Sequence, residues 1–233
     1  MPIIDPVNAL EVRVREDGAR PLLTCYDLGD GSRVEFSART FANWVDKTAN
    51  LMGALGLDEG SEVGLPLLLS HPLHWVSLVW TMAAWQQGGT VMALPRDDLD
   101  RVEVAVLGPT NSHPVPGVET VVCSLHPLGL GLPTPVPGVT DYAEVLSQPD
   151  VHWRTPAPAT LLDDGQRKLA LADMGEVQPV AGRLLLTPSD DPVEVVRGAL
   201  LAPLLGGGSV VLVSGGDDPT WLARIAAEEH ATA

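Results

Sequence analysis

Residues 34–95 constrain the fold most, because the hydrophobic pattern changes type repeatedly within them. An apolar stripe at helical spacing (41–55) precedes a continuous apolar run (63–69), a stretch that is apolar on every side (72–87) and a second run (90–94). Short continuous runs are typical of parallel strands covered on both faces, and a helix that is apolar all round is buried. The order predicts a β-α-β unit, right-handed if its two strands are parallel.

Cap and breaker residues place the ends of these elements. Thr40 is the predicted N-cap of the first helix, with Ser37 as the alternative, because either hydroxyl accepts a bond from the first turn. Ser70 is the predicted cap of the second helix, with Pro72 in its first turn, where a missing N–H costs little. Pro66 favours an edge or a bulge for the strand 63–69, since proline cannot donate to a ladder.

The two ends of the chain carry similar signals. The runs 22–26 and 34–36 flank Asp30-Gly31 and predict a hairpin. Near the other end, residues 183–186 and 210–213 predict strands. Between them a helix is predicted to start at Asp191, Pro192 and Glu194, and we expect it to end near Ala202, before Pro203. A last helix is predicted from 219 to about 229, capped by Asp217 or Asp218. Together these patterns predict an α/β fold, doubly wound, with mostly parallel sheets and flanking helices.

The middle of the chain is less regular. Residues 102–107 and 118–123 predict two further strands. Residues 126–158 are rich in proline and predict a wrapping connection with one short helix near 142–146. Residues 169–174 are a further predicted helix.

Charge excludes several classes of partner. The formal net charge is −16, from 30 acidic and 14 basic residues, and such a field repels nucleic acid and anionic membrane surfaces. The N-terminus lacks the basic and apolar regions of a signal peptide, and polar residues interrupt the apolar stretch 64–85. We therefore expect a cytoplasmic protein with no nucleic-acid or membrane partner.

Several motifs resemble the opening of the adenylate-forming enzymes, a superfamily that includes acyl-CoA synthetases, luciferases and peptide-synthetase adenylation domains. The resemblance is carried by Thr40-Phe41, Ala54-Leu55-Gly56, Gly60-Ser61-Glu62-Val63, the Gly-Thr-Val-Met-Ala-Leu-Pro sequence at 89–95, and the helix-glycine-strand pattern of 201–212 with Asp218-Pro219. It implies the N-terminal part of that fold. It further implies a first lobe of residues 1–57 plus 182–233 and a second lobe of residues 58–181, joined in one two-lobed unit.

The functional motifs of that superfamily are absent. The glycine-rich loop that cradles ATP phosphates should lie between about 157 and 182, but residues 160–168 hold one glycine beside Asp163 and Asp164, a poor anion nest. Pro188-Ser189-Asp190 replaces the aromatic-His pair near the acyl pocket, and neither the Tyr-Gly-x-Thr-Glu motif nor the small catalytic domain follows.

The resemblance therefore implies a catalytically inactive relative that acts as a binding or interaction module, with no cofactor. A homo-oligomer or a heteromeric protein partner is expected, because a shortened domain leaves apolar surface to cover. The alternative is a ligase-like enzyme that still binds nucleotide or an acyl group through a rebuilt phosphate site.

Ser70, His71 and His74 cluster at a strand-to-helix turn, where open α/β sheets place ligands. A Ser-His pair suits a nucleophile, which makes a hydrolase centred on Ser70 and His71 a weaker alternative, and two histidines three residues apart suit a metal. No glycine flanks the serine as in a nucleophile elbow, and no third ligand is marked. Capping and packing are the favoured roles, so no catalytic or metal-binding residue is assigned.

The remaining candidates also favour structural roles. The glycines 206–208 follow a helix and so end it, and the glycines 215–216 precede a helix but are trailed by two aspartates. Cys123 lies among apolar neighbours, as an inert buried thiol would. Trp75, Trp80 and Trp85 are five residues apart and share no helical face, which favours core packing or a lobe or subunit contact.

Overall fold

The computed structural model describes residues 5–232. Its strands are β1 Pro21–Asp27, β2 Ser32–Ser37, β3 Val63–Gly64, β4 Val91–Met92, β5 Val104–Leu107, β6 Glu119–Val122, β7 Thr140–Asp141, β8 Thr160–Asp163, β9 Lys168–Ala170, β10 Arg183–Leu186 and β11 Ser209–Ser214. Its helices are α1 Pro6–Asp17, α2 Ala38–Ala54, α3 Leu67–Ser70, α4 Trp75–Gln86, α5 Pro192–Val196, α6 Ala202–Gly206 and α7 Pro219–Glu228. A π-helical turn, Arg197–Leu201, joins α5 to α6, and 3-10 turns cover Arg96–Asp98, Tyr142–Ser147 and Leu171–Glu176.

Two sheets form the framework. One has the order β10-β11-β1-β2 and the other the order β7-β6-β5-β3-β4-β8-β9. Neighbouring strands are parallel except for the hairpins β1–β2 and β8–β9. The predicted α/β class with mostly parallel sheets is confirmed.

The strands of the two sheets come from different parts of the chain. The four-stranded sheet uses residues 21–37 and 183–214, and the seven-stranded sheet uses residues 63–170. The largest hydrophobic cluster nevertheless contains residues of both parts, such as Leu23, Leu78 and Leu200. The division into two lobes therefore remains a prediction, and the two parts share one core.

Helix α4 is the centre of that core. Every residue from Trp75 to Gln86 is buried, as its apolar pattern predicts, and α4 packs on α2. Two side chains of α4 bond to neighbouring elements: Gln86 Nε2 donates to Asp46 Oδ1 at 2.7 Å, and Trp85 Nε1 donates to the Leu161 carbonyl at 2.7 Å. The predicted packing role of Trp75, Trp80 and Trp85 is confirmed, since all three are fully buried.

The predicted strand 63–69 is wrong beyond Gly64. Leu65 N still donates to Met92 O at 2.8 Å, but Pro66 has the helical angles φ −59° and ψ −13° and begins α3. The missing N–H of proline ends the ladder here, and its fixed φ suits a helix start.

Two predicted caps are also wrong. Ser37 caps α2 by accepting a bond from Thr40 N at 3.1 Å, so the alternative was correct. Ser70 is the last residue of α3, and its hydroxyl donates to Pro66 O at 3.2 Å. Helix α4 instead begins at Trp75, where His74 Nδ1 accepts a bond from Val76 N at 3.2 Å.

The helix that starts at Asp191 continues past its predicted end near Ala202. Its middle turn is π-helical over Arg197–Leu201, and α6 follows with Pro203 in its first turn. A wider turn shifts the hydrogen-bond pattern, so the missing N–H of proline is tolerated. Gly207, at φ 72°, then ends the helix as predicted.

The connection 126–158 contains the predicted short helix as a 3-10 turn, Tyr142–Ser147. It also contributes β7 to the seven-stranded sheet. Its last part lies along α2, where Asn50 Nδ2 donates to the carbonyls of Pro149 and Val151 at 2.9 and 3.0 Å. The predicted helix 169–174 is partly wrong, because residues 168–170 form β9 and only Leu171–Glu176 is helical.

Candidate functional site

The carboxyl ends of strands from both sheets face a common cleft of about 840 Å³. Its lining follows β4 (93–95), β8 (164–167) and β10 (189–192), with Leu69 of α3. Open α/β sheets place their ligands at this edge. We name it the carboxyl-end cleft.

The loop between β8 and β9 binds its own backbone amides. Asp163 Oδ1 accepts from Gly165 N at 2.9 Å, and Asp164 Oδ1 accepts from the amides of Gln166 and Arg167 at 2.8 and 2.6 Å. A phosphate-binding loop offers such amides to the anion. Here three successive amides are already bonded to two carboxylates of the same loop, so they are not free to bind an anion.

The basic side chains of this loop are also engaged. Arg167 contacts Asp164 at 3.4 Å and forms a closer ion pair with Asp191, and Lys168 Nζ lies 2.9 Å from Asp163. The hydrogen bond from Arg167 holds the pKa of Asp191 below its usual value. Partial burial raises the pKa of Asp163, but the hydrogen bonds from Lys168 and from the Gly165 amide, together with the charge of Lys168, outweigh burial and lower the pKa. These acids therefore stay ionised at neutral pH.

Helix α5, whose N-terminus faces the cleft, is capped by a side chain of its own N-cap residue. Asp191 accepts bonds from Val193 N at 3.0 Å and Glu194 N at 3.2 Å at the start of α5. Asp98 and Asp190 add two exposed carboxylates to the lining. The cleft is thus net negative, and its one arginine is paired with two of its acids.

The structure brings Ser70 and His71 together and assigns His74 to another task. His71 Nδ1 lies 3.0 Å from Ser70 Oγ. His74 caps α4, and its Nε2 donates to the Leu125 carbonyl at 3.1 Å; burial lowers its pKa to about 4. Within residues 5–232 no carboxylate is hydrogen-bonded to His71, and no three His, Cys, Asp or Glu side chains are arranged to hold a metal. The Ser70–His71 pair lacks the group that orients the base in a catalytic triad.

The glycine clusters serve close packing. A Cβ at Gly206 or Gly208 would lie 2.3 Å from the backbone of Val180. Gly215, at φ 77°, lies against Asp27, whose Oδ1 would be 2.3 Å from an added Cβ. Cys123 is buried, and desolvation raises the pKa of its thiol well above the usual value. The predicted helix stop at 206–208 and the predicted burial of Cys123 are confirmed.

Sequence reasoning missed an apolar cavity of about 450 Å³ beside the cleft. It lies between β10 and the α5–π-turn helix, with Leu73, Leu184, Leu186, Val195 and Gly198 among its lining residues. Arg197 stands at its wall, 3.3 Å from Glu194 and 3.9 Å from Glu176. The apolar strand and helix were visible in the sequence, but the space between them depends on how they pack.

No helix among residues 5–232 combines the length and the apolarity required to span a bilayer.

The fold is shared with solved structures of acyl-CoA synthetases and ligases. An acyl-CoA synthetase from Brucella canis superposes with a TM-score of 0.72 at 16% identity, over 98% of this chain and 46% of that one. A long-chain-fatty-acid-CoA ligase from Archaeoglobus fulgidus gives 0.71 at 14% identity, over 99% and 51%. An anthranilate CoA ligase in complex with anthranoyl-AMP gives 0.64 at 17% identity, over 98% and 48%. The chain thus spans about half the length of these structures, with the fold of the N-terminal part of adenylate-forming enzymes.

The sequence matches no family model. A protein of Mycobacterium tuberculosis, described as a TIGR03089 family protein, is 34% identical over an alignment 250 positions long. The alignment covers 99% of this chain and 95% of that protein. On this similarity, the chain belongs to the TIGR03089 family.

Proposed function

We propose that this chain is a non-adenylating relative of the acyl-CoA ligases that acts as a binding module for a partner protein. One observation carries the first part: the amides of residues 165–167 are bonded to Asp163 and Asp164 and are not free to bind an anion. A triphosphate would have to displace these carboxylates and then lie beside them. The cost of that displacement and the repulsion between like charges both oppose binding.

Exposed apolar side chains support the second part. Trp153 is 86% exposed and Val151 is 76% exposed, both on the segment that lies along α2. Isolated exposed apolar residues are common on monomers, but a tryptophan and a valine two residues apart on one segment are typical of contact surfaces. A homo-oligomer and a heteromer both fit this surface, and light scattering after size exclusion of the purified chain would detect the homo-oligomer.

Isothermal calorimetry with ATP and Mg²⁺ tests the non-adenylating assignment. We expect no saturable heat at millimolar ATP. Saturable binding that is lost in the Arg167→Ala variant would instead establish a nucleotide site at the cleft and support the ligase-like alternative. Arg224→Ala is the matched control, because Arg224 is also more than half exposed, 62% against 53% for Arg167, but does not line the cleft.

The apolar cavity favours a second candidate, the binding of an acyl group without its activation. Its volume of about 450 Å³ is within the range of small-ligand sites, roughly 300–1,000 Å³. Displacement of a fluorescent fatty acid would measure this binding. Gly198→Leu should abolish it, since a side chain there is directed at Leu186, 3.2 Å from the added Cβ. Equal binding by the wild type and the variant would exclude the cavity as the site.

A further inference from the structure

A separate cavity of about 470 Å³ lies between the β1–β2 hairpin and helix α7. Tyr26, Leu28, Trp221 and Ile225 supply its apolar lining, and Asp27 and Glu228 are among its polar residues. It shares no lining residue with the carboxyl-end cleft or the apolar cavity. We name it the Trp221 pocket.

The lining of this pocket is partly fixed and partly open. Ile225 is buried in a cluster with Leu185, Val211 and Val213, and Leu28 packs against that cluster. Trp221, by contrast, remains 50% exposed. A half-exposed tryptophan beside a rigid apolar floor is the usual anchor of a protein contact.

The pocket already holds a cation against its aromatic wall. The guanidinium of Arg224 lies 5.2 Å from the centre of the Trp221 ring, and its Nε donates to Glu228 at 2.7 Å. Both members of this ion pair are more than half exposed, so the contact is weak and exchangeable. Its geometry shows that a cation fits between the indole face and the carboxylate.

The surroundings carry unpaired negative charge. Among the described residues, Asp27, Asp30, Asp217 and Asp218 take part in no ion pair. Asp27, Asp30 and Asp218 accept bonds only from nearby backbone amides, at 2.7, 2.8 and 2.8 Å. Two of the four lie at the hairpin end of β1 and two lie in the turn before α7. Their summed field attracts a positively charged partner and repels an acidic one.

We propose that the Trp221 pocket is a docking site for a basic segment of a partner protein. One lysine or arginine of that segment takes the place of Arg224 over the Trp221 ring, and a neighbouring aliphatic side chain contacts Leu28 and Ile225. This inference rests on the partner-binding part of the proposed function and names the chemistry of the partner.

Fluorescence anisotropy with a fluorescein-labelled peptide that alternates leucine with arginine or lysine tests the proposal on the full chain. We expect saturable binding that weakens with salt, and about tenfold weaker binding in Trp221→Ala. Asp27→Asn keeps the acceptor for Gly29 N and should weaken binding about threefold by removing one charge. It serves as the second variant if Trp221→Ala does not fold.

Leu146→Ala is the matched control, because Leu146 is 49% exposed, close to the 50% of Trp221, and lies outside the pocket. The proposal is overturned by absent binding, by unchanged affinity in the folded pocket variants, or by an equal loss in Leu146→Ala. A peptide with glutamate in place of its basic residues should bind less tightly; equal binding would mean that only apolar contacts hold the peptide and would contradict the proposal. Free arginine at the concentration of the peptide should not displace it; full displacement would mean that the pocket binds small cations and would also contradict the proposal. If neither the peptide nor ATP binds, the docking proposal fails but the non-adenylating assignment still holds. Failure of the docking proposal can therefore be distinguished from failure of the non-adenylating assignment.

Discussion

Trp85 and Trp75 of helix α4 differ in one hydrogen bond, and this difference predicts different costs for the same substitution. Both side chains are fully buried. The indole N–H of Trp85 donates to the Leu161 carbonyl at 2.7 Å, which ties α4 to β8 just before the loop at the carboxyl-end cleft. The indole N–H of Trp75 has no partner within residues 5–232. We expect Trp85→Phe to destabilise the protein more than Trp75→Phe.

The magnitude follows from two contributions. Replacing tryptophan by phenylalanine leaves a void of about 40 Å³, which at about 24 cal/mol per Å³ costs about 1 kcal/mol at either site. Trp85→Phe also loses a buried hydrogen bond, which adds about 1 kcal/mol. Trp75→Phe instead removes an unsatisfied donor, which returns about 1 kcal/mol or more. The free energies of unfolding of the two variants should therefore differ by about 2 kcal/mol.

Urea denaturation followed by far-UV circular dichroism measures this difference. Equal m-values in the wild type and both variants would show that only stability has changed. Trp153→Phe, at an exposed site, should change the free energy of unfolding by less than about 0.5 kcal/mol. A Trp75→Phe variant as unstable as Trp85→Phe would refute the argument, because packing alone would then account for both.

Three further predictions concern buried or crowded groups. Burial lowers the pKa of His74 from 6.5 to about 4, so its contribution to the free energy of unfolding should be fully present above pH 6.5 and should fall by about 2–3 kcal/mol by pH 4.5. Urea denaturation at pH 7 and at pH 4.5 should show this loss in the wild type. The loss should be absent in His74→Asn, whose side chain can still cap the helix. Gly89→Ala places a Cβ 2.4 Å from the Ser61 carbonyl and should abolish soluble expression, whereas Gly175→Ala, with open space, should leave the melting temperature unchanged. The Cys123 thiol, buried and with a raised pKa, should react with Ellman's reagent only after unfolding; rapid labelling of Cys123 in the native protein would disprove its burial.

Local pattern was sufficient for much of the fold. The helical stripe that includes Phe41 and Val45 and the all-apolar stretch of α4 appear as predicted, since each pattern has a single way to bury its apolar side chains. The short strands were harder, because β3 and β4 have only two residues each and a continuous apolar run does not show where a ladder ends. Pro66 ends the ladder that begins with β3, and only its backbone angles showed that it starts helix α3.

The candidate site could also be predicted only in part from the sequence. The resemblance to adenylate-forming enzymes places Asp163 and Asp164 where a glycine-rich loop would be, so a poor phosphate-binding loop could be predicted from the residues there. The sequence could not show that Arg167 reaches Asp191 from a distant part of the chain. The Trp221 pocket was not predictable either, because its two walls are separated by about 190 residues in sequence.

The sequence by itself determined the longer helices and the strands beside them, the acidic composition and the absence of a phosphate-binding motif, because these depend on residue type and near-neighbour spacing. The tertiary structure decided which distant residues meet: Arg167 with Asp191 at the carboxyl-end cleft, and the β1–β2 hairpin with α7 around the Trp221 pocket. Such contacts depend on the packing of two sheets whose strands come from distant parts of the chain, and no local pattern encodes that geometry.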